Sequence, residues 1–302
     1  MPGISQELPP PGGGQGARRQ RRRQPPSWGQ RAADLGLTVC AVTVGLLAAF
    51  ALIGVSLPPA LGWMEAVGCL VAAGTAGAIL LQRLPMQNVV GGSVVLLGAI
   101  TLVMAMSAKT GVPLGRVEYT AALGPRLLGL VPLGLPFLWV ALVLMSRETA
   151  RLVLRPWRRD QFYGYHLVSA TSVLLVLALL ALDPFAVGAR GWWSWPELSG
   201  PSWHGAPWGS YVVWLLAGAC MITLATPWLL PKRPIPMPLT LHAPGLWLLL
   251  VAWFTFGNLR GGLWSAGLFG LLILAGVGAG AWAGWWAGQG TVNSEDGSDA
   301  DG

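Results

Sequence analysis

Charge is what this sequence has least of. Asp, Glu, Lys and Arg make up 10% of its 302 residues, against about a quarter in a soluble globular domain, and that scarcity excludes an ordinary water-soluble fold. Cysteine is also scarce. Cys40, Cys69 and Cys220 all fall inside apolar stretches with no CxxC pair, which excludes a disulfide scaffold and leaves them as small core residues. The three histidines, His166, His204 and His242, are 38 residues apart, too dispersed for the clustered ligands of a di-iron centre. Outside the C-terminal tail the aspartates are Asp34, Asp160 and Asp183. Chemistry on a diphosphate would need paired Asp-rich motifs to hold magnesium. There is no P-loop, no GxSxG elbow, and no dinucleotide fingerprint in a strand-to-helix setting. The sequence therefore implies no metal and no cofactor, and any reaction it supports should need only acid, base and water.

What is present in quantity is apolar residue, 54% of the chain. A helix needs about 20 consecutive apolar residues to cross a hydrocarbon layer roughly 30 Å thick. Runs of that kind occupy 33–57, 61–82, 89–108, 127–146, 164–187, 209–230, 239–257 and 262–287. They predict an all-α, polytopic transmembrane bundle of about eight spans, or seven if the weakest, the seventh, is not one. The first run is too long for a signal-peptide core and lacks a cleavage site, so it is expected to be retained. The run RRQRRR at 18–23 reads as a positive anchor rather than a twin-arginine export signal.

Basic loops resist translocation, and the basic residues sort accordingly. With a cytoplasmic N-terminus and eight spans, fourteen of the nineteen Lys and Arg fall on the inner side, leaving Lys109, Arg116, Arg126, Arg190 and Arg260 outside. The expected location is thus the cytoplasmic membrane with both termini in the cytoplasm. The net charge of +7 is a topology signal and a patch for anionic headgroups, and no nucleic-acid partner is expected.

Residues 1–30, rich in Pro, Gly, Gln and Arg, and residues 289–302, rich in Gly, Ser and acids, cannot bury enough apolar surface to fold alone. They are expected to be a disordered basic tail and a disordered acidic tail around one transmembrane domain, 31–288. Gly276, Gly280, Gly284 and Gly288 form a ladder on one face of the last span. Such faces let a second helix approach closely, either within the chain or in a helix-mediated oligomer through Gly276, Gly280 and Gly284.

Four acids remain once the tails and inner flanks, where Glu148 and Asp160 lie, are set aside: Glu65, Glu118, Asp183 and Glu197. All fall on the outer side of the predicted topology, and ionisable groups at membrane depth often mark function. Asp183 ends the fifth apolar run, where the negative end of the helix macrodipole and an apolar surround both disfavour a carboxylate. A carboxyl that holds its proton there could act as a general acid. Equally, Asp183 followed by Pro184 could simply stop the helix, its charge paired to Arg190 or Arg126. Close by, Trp192, Trp193, Trp195, Trp203, Trp208 and Trp214 crowd 23 residues. An interfacial belt accounts for two or three of them, and the excess suits a long planar or polyene ligand. His204, near Glu197, could assist a reaction or serve only as a cap.

The stretches YTAALGPRLLGLVPLGLPFLW (119–139), LDP (182–184), GWWSW (191–195) and HGAPWGSYVVW (204–214) together resemble the carotenoid biosynthesis membrane proteins that include carotenoid 1,2-hydratases and bisanhydrobacterioruberin hydratase. The block spans 119–214, about a third of the chain. Tyr119, Trp139, Asp183, Pro184, Trp193, Trp195, Tyr211 and Trp214 stand at matching positions. Ser210 replaces an Asn of the pattern, Val213 a Gly, and Leu179 a second acid that many members carry one helical turn before Asp183.

The resemblance implies a carotenoid or other long isoprenoid lipid as substrate, water as co-substrate and surrounding membrane lipid as partner. It implies a hydro-lyase that protonates the terminal double bond of an acyclic carotenoid. Asp183 is then the expected donor, with Glu118 or Glu197 holding the water. Tyr119, Trp139, Trp193, Trp195, Tyr211 and Trp214 are the expected substrate-binding residues, in a site near the outer leaflet. A non-catalytic carotenoid- or isoprenoid-binding protein and a small-solute transporter are the alternatives.

Overall fold

The structure is a computed structural model that describes residues 28–52, 63–120, 123–127, 129–198, 200–230 and 240–298. The expected basic tail falls almost wholly outside the described residues, as do Lys232, Arg233 and residues 299–302.

Among the described residues the chain forms eight α-helices: α1 (Trp28–Leu52), α2 (Trp63–Leu81), α3 (Met86–Thr110), α4 (Gly134–Val153), α5 (Tyr163–Pro184), α6 (Trp208–Leu229), α7 (His242–Arg260) and α8 (Trp264–Ser298). Five of them, α2, α3, α5, α6 and α8, are long and apolar enough to cross a membrane by length and composition. The protein is an all-α membrane helix bundle. Helix α4 lies at its centre, packed by α2, α3, α5, α7 and α8. It is buried around almost its whole circumference from Gly134 to Ala150, as expected of a helix that is apolar on every side.

Two boundaries differ from the sequence expectation. Helix α4 starts at Gly134 rather than 127, because Arg126–Leu127 (β2) and Val131–Pro132 (β3) pair as a small antiparallel hairpin before it. Helix α8 runs on to Ser298, so the acidic tail expected from 289 begins as a continuation of the last helix. Part of the glycine ladder is used within the chain. Gly284 lies against the backbone of Leu152 so closely that any side chain would collide with it, and a Cβ on Gly280 would lie 3.7 Å from the Val153 side chain. Gly276 has open space.

The described parts of the loops after α3, after α5 and between α7 and α8 gather at one end of the bundle. There Glu118–Tyr119 (β1) pairs antiparallel with Trp193–Ser194 (β4), in the register Glu118 to Ser194 and Tyr119 to Trp193. A second short hairpin joins Ser202–Trp203 (β5) to Ala206–Pro207 (β6). His204 adopts a left-handed backbone, φ 49°, and its Nε2 meets the Ser265 hydroxyl at the head of α8 at 2.9 Å.

Helix α5 does not stop at Asp183. It continues through Pro184 into one π-helical turn, Phe185–Ala189, closed by the Arg190 N–H donating to the Phe185 carbonyl at 2.9 Å. Proline has no N–H, so the carbonyl four residues earlier, Leu180, loses its helical partner. The Trp203 indole N–H donates to it at 2.9 Å. The adjoining Ala181 carbonyl accepts from the Asn258 side-chain amide of α7 at 2.8 Å. Beneath the π turn, the Phe185 ring rests directly on Gly257 of α7.

Candidate functional site

The end of α5, the β1–β4 pair and parts of α3, α4 and α6 border a small, partly open cavity of about 20 Å³, room for roughly one water molecule. Tyr119, Trp139, Asp183, Trp193, Trp195 and Trp214 line it, with Met104, Leu114, Val117 and Leu135 completing the wall. Six residues expected at the site, drawn from five separate places in the chain, therefore share one hollow. Tyr211, on the first turn of α6, is 4% exposed, and its hydroxyl lies at the Asp183 carboxyl.

The local folding explains the assembly. Residues on a strand alternate between faces, so β1 turns Tyr119 inward, buried, and Glu118 outward, exposed. On β4, Trp193 points inward in the same way and is 4% exposed. Tyr119 and Trp193 meet edge to face with ring centroids 6.3 Å apart, and Trp193 meets Trp195 likewise at 6.4 Å. Trp139 of α4 and Trp214 of α6 stack face to face, 3.6 Å between centroids and 27° between planes. The cavity thus presents both indole faces and indole edges to whatever enters it.

Asp183 is 3% exposed, and among the described residues no Lys, Arg or His forms an ion pair with it. Arg190, one expected partner, pairs with Glu65 instead. Glu65 is itself 6% exposed and also accepts from the Trp192 indole N–H at 2.8 Å. This tie fixes the head of α2 to the turn that follows α5. Burial first, and then the charge of Asp183 nearby, push the Tyr119 phenol above the ordinary tyrosine range, so it stays a hydrogen-bond donor.

The structure does not bring Glu118 or Glu197 to the cavity wall. Glu118 points to solvent because of its place on β1. Glu197 is 67% exposed and ion-paired to Arg116 at 3.1 Å. His204 is engaged with Ser265 and does not line the cavity either. Of the crowded tryptophans, Trp193, Trp195 and Trp214 line it, Trp192 and Trp203 hold the surrounding backbone in place, and Trp208 is 44% exposed.

In the sequence Glu148 reads as an inner-flank residue of no special note. In the structure it is 6% exposed at the opposite end of the bundle. Arg83 pairs with it, the Arg147 guanidinium donates to it at 2.7 Å, and Arg151 stands 3.8 Å away. Four helix-end charges thus converge in a buried cluster. Burial holds the Arg83 guanidinium down to about 10, against the opposing pull of Glu148. Arg83 and Glu148 are 65 positions apart in sequence, and no spacing pattern links them.

These features define a polytopic membrane protein with a carboxyl group and stacked indoles around a small cavity. The sequence profile of the carotenoid biosynthesis protein family matches residues 64–281, which contain the cavity and seven of the eight helices in whole or large part. The chain belongs to that family. Over 119 residues it is 36% identical to the bisanhydrobacterioruberin hydratase of Haloarcula japonica. The match covers 39% of this chain and spans 38% of that protein's length. No solved structure matches the chain.

Proposed function

We propose that the protein is a carotenoid hydratase that adds water to the terminal double bond of an acyclic carotenoid without a cofactor. A trisubstituted terminal alkene is protonated at its less substituted carbon, which leaves a tertiary cation that water captures. Asp183 is the proton donor. Trp193, Trp195 and Trp214 hold the end group, and their ring faces stabilise the cation through the aromatic quadrupole. The rest of the polyene stays among the helices and lipid.

The observation that supports this reading most is Asp183 itself, a buried carboxyl on a cavity walled by indoles with no cation paired to it among the described residues. Ionised carboxylates are costly to bury alone, which favours a carboxylic acid with a proton to give. The relative's name, a hydratase acting on a bisanhydro carotenoid, agrees with the reaction.

One observation favours the alternative of a protein that binds carotenoid without changing it. Leu179, fully buried, stands one turn before Asp183, where the resemblance implies a second acid. Expression of the chain in a host that accumulates an acyclic carotenoid separates the two. Hydration gives a new, more polar pigment; binding alone gives unchanged pigment that co-purifies with the protein, and that result overturns the hydratase reading.

A further inference from the structure

Hydration needs a water molecule and a group to take its proton, and neither Glu118 nor Glu197 reaches the cavity. Three other polar atoms do lie there or beside it. The indole nitrogens of Trp139 and Trp195, both on the cavity wall, are buried and have no hydrogen-bond partner. The Tyr211 hydroxyl is buried and faces the Asp183 carboxyl. Buried polar groups are almost always satisfied, and where the protein leaves several open around one small void, a bound water is the usual partner. Two open indole nitrogens in the lining, with a phenol at the carboxyl of the same cavity, suit a bound water in a wall that is otherwise apolar.

We propose that Tyr211, with one indole N–H of the pair Trp139 and Trp195, holds the attacking water, and that Tyr211 returns the water's proton to Asp183; this role rests on the hydratase reading of the same cavity. One carboxyl then serves as acid and as base. Asp183 gives its proton to the terminal alkene carbon, forming a C–H bond and a tertiary cation. The water oxygen, steadied by one indole N–H, keeps a lone pair free and forms the C–O bond. Its proton passes to the Tyr211 oxygen while the Tyr211 proton passes to the Asp183 carboxylate. The balance is alkene plus water to tertiary alcohol, with Asp183 protonated again and no further reactant needed. In this arrangement the phenol takes the place of the second acid that Leu179 lacks.

The test uses the full-length purified chain in detergent, an acyclic carotenoid with a terminal isopropylidene group, and heavy water. Wild-type protein is expected to give hydrated product carrying carbon-bound deuterium. In Tyr211→Phe the acid remains but capture of the cation fails. The hydrated product should then fall on the order of a hundredfold with KM little changed. Deuterium should still enter the recovered, unhydrated carotenoid, because the cation reverts by losing a proton. That exchange also reports a folded, protonating site. Trp195→Phe should act in the same direction. Hydration at the wild-type rate in Tyr211→Phe overturns the proposal, and so does loss of exchange together with hydration, which would place Tyr211 in the protonation step. Asp183→Asn, run in parallel, should lose both signals. If it keeps both, the acid assigned in the hydration reading falls, whatever Tyr211 does.

Discussion

The Trp203 indole N–H donates to the Leu180 carbonyl at 2.9 Å, the backbone acceptor that Pro184 leaves without a partner. With the Asn258 amide on the Ala181 carbonyl, it lets α5 pass its proline and enter a π turn without stranding buried backbone groups. Asp183 consequently sits inside a supported helix, buried beside a cavity, rather than at a frayed end. Trp203→Phe removes the donor and leaves a buried carbonyl open, which costs about 1–3 kcal/mol. The expected result is a lower melting temperature in detergent and reduced hydration. An unchanged melting temperature would show that Leu180 finds another partner.

Gly257 supports the same turn from beneath. The Phe185 ring occupies the space a side chain would need, so Gly257→Ala must displace the ring or the turn. Overpacking of this kind costs typically 1–3 kcal/mol. Because the displaced residue is two positions from Asp183, catalytic output should fall by more than the fraction of protein that unfolds. Comparing activity per folded molecule with folded yield checks this.

Glu118→Gln and Glu197→Gln, singly and together, should leave carotenoid conversion within about twofold of wild type, since exposed charges and surface ion pairs are worth on the order of 1 kcal/mol or less. Pigment ratios in a producing host measure it. A large loss in either variant would restore a second carboxyl to the mechanism.

At the opposite end, Glu148→Ala should be among the most damaging substitutions outside the cavity. It leaves Arg83, Arg147 and Arg151 with no counter-charge in a buried cluster, and breaking a buried pair from one side costs about 3–5 kcal/mol. Loss of folded protein from the membrane fraction, relieved in part by Arg83→Met in the same chain, is the expected outcome.

The helical spans are legible in the sequence because hydrocarbon thickness imposes a length that composition reveals directly. Trp193, Trp195 and Trp214 are legible for a different reason, tryptophans beyond what an interface needs beside an isolated acid, whereas Tyr119, Trp139 and Tyr211 are expected only from the family resemblance. What the sequence does not disclose depends on contacts between distant segments. Glu118 and Tyr119 are adjacent in the chain, and only the pairing of β1 with β4 decides which of them faces inward. Arg190 is seven residues from Asp183, yet its partner is Glu65, 125 residues away in sequence. Pro184 reads as a helix stop until the side chains of Trp203 and Asn258 supply the missing bonds. The start of α4 at Gly134 is likewise hidden, because the apolar run reads on from 127, while Leu127 and Val131–Pro132 fold as parts of a hairpin.

The most direct test of Asp183 as the proton donor is the pigment made by Asp183→Asn in a host supplying acyclic carotenoid, compared with wild type at matched membrane abundance. The substitution keeps the size of the side chain and removes its transferable proton. The more polar, hydrated pigment is expected to disappear while the protein remains in the membrane. Hydrated pigment at the wild-type level would contradict the assignment.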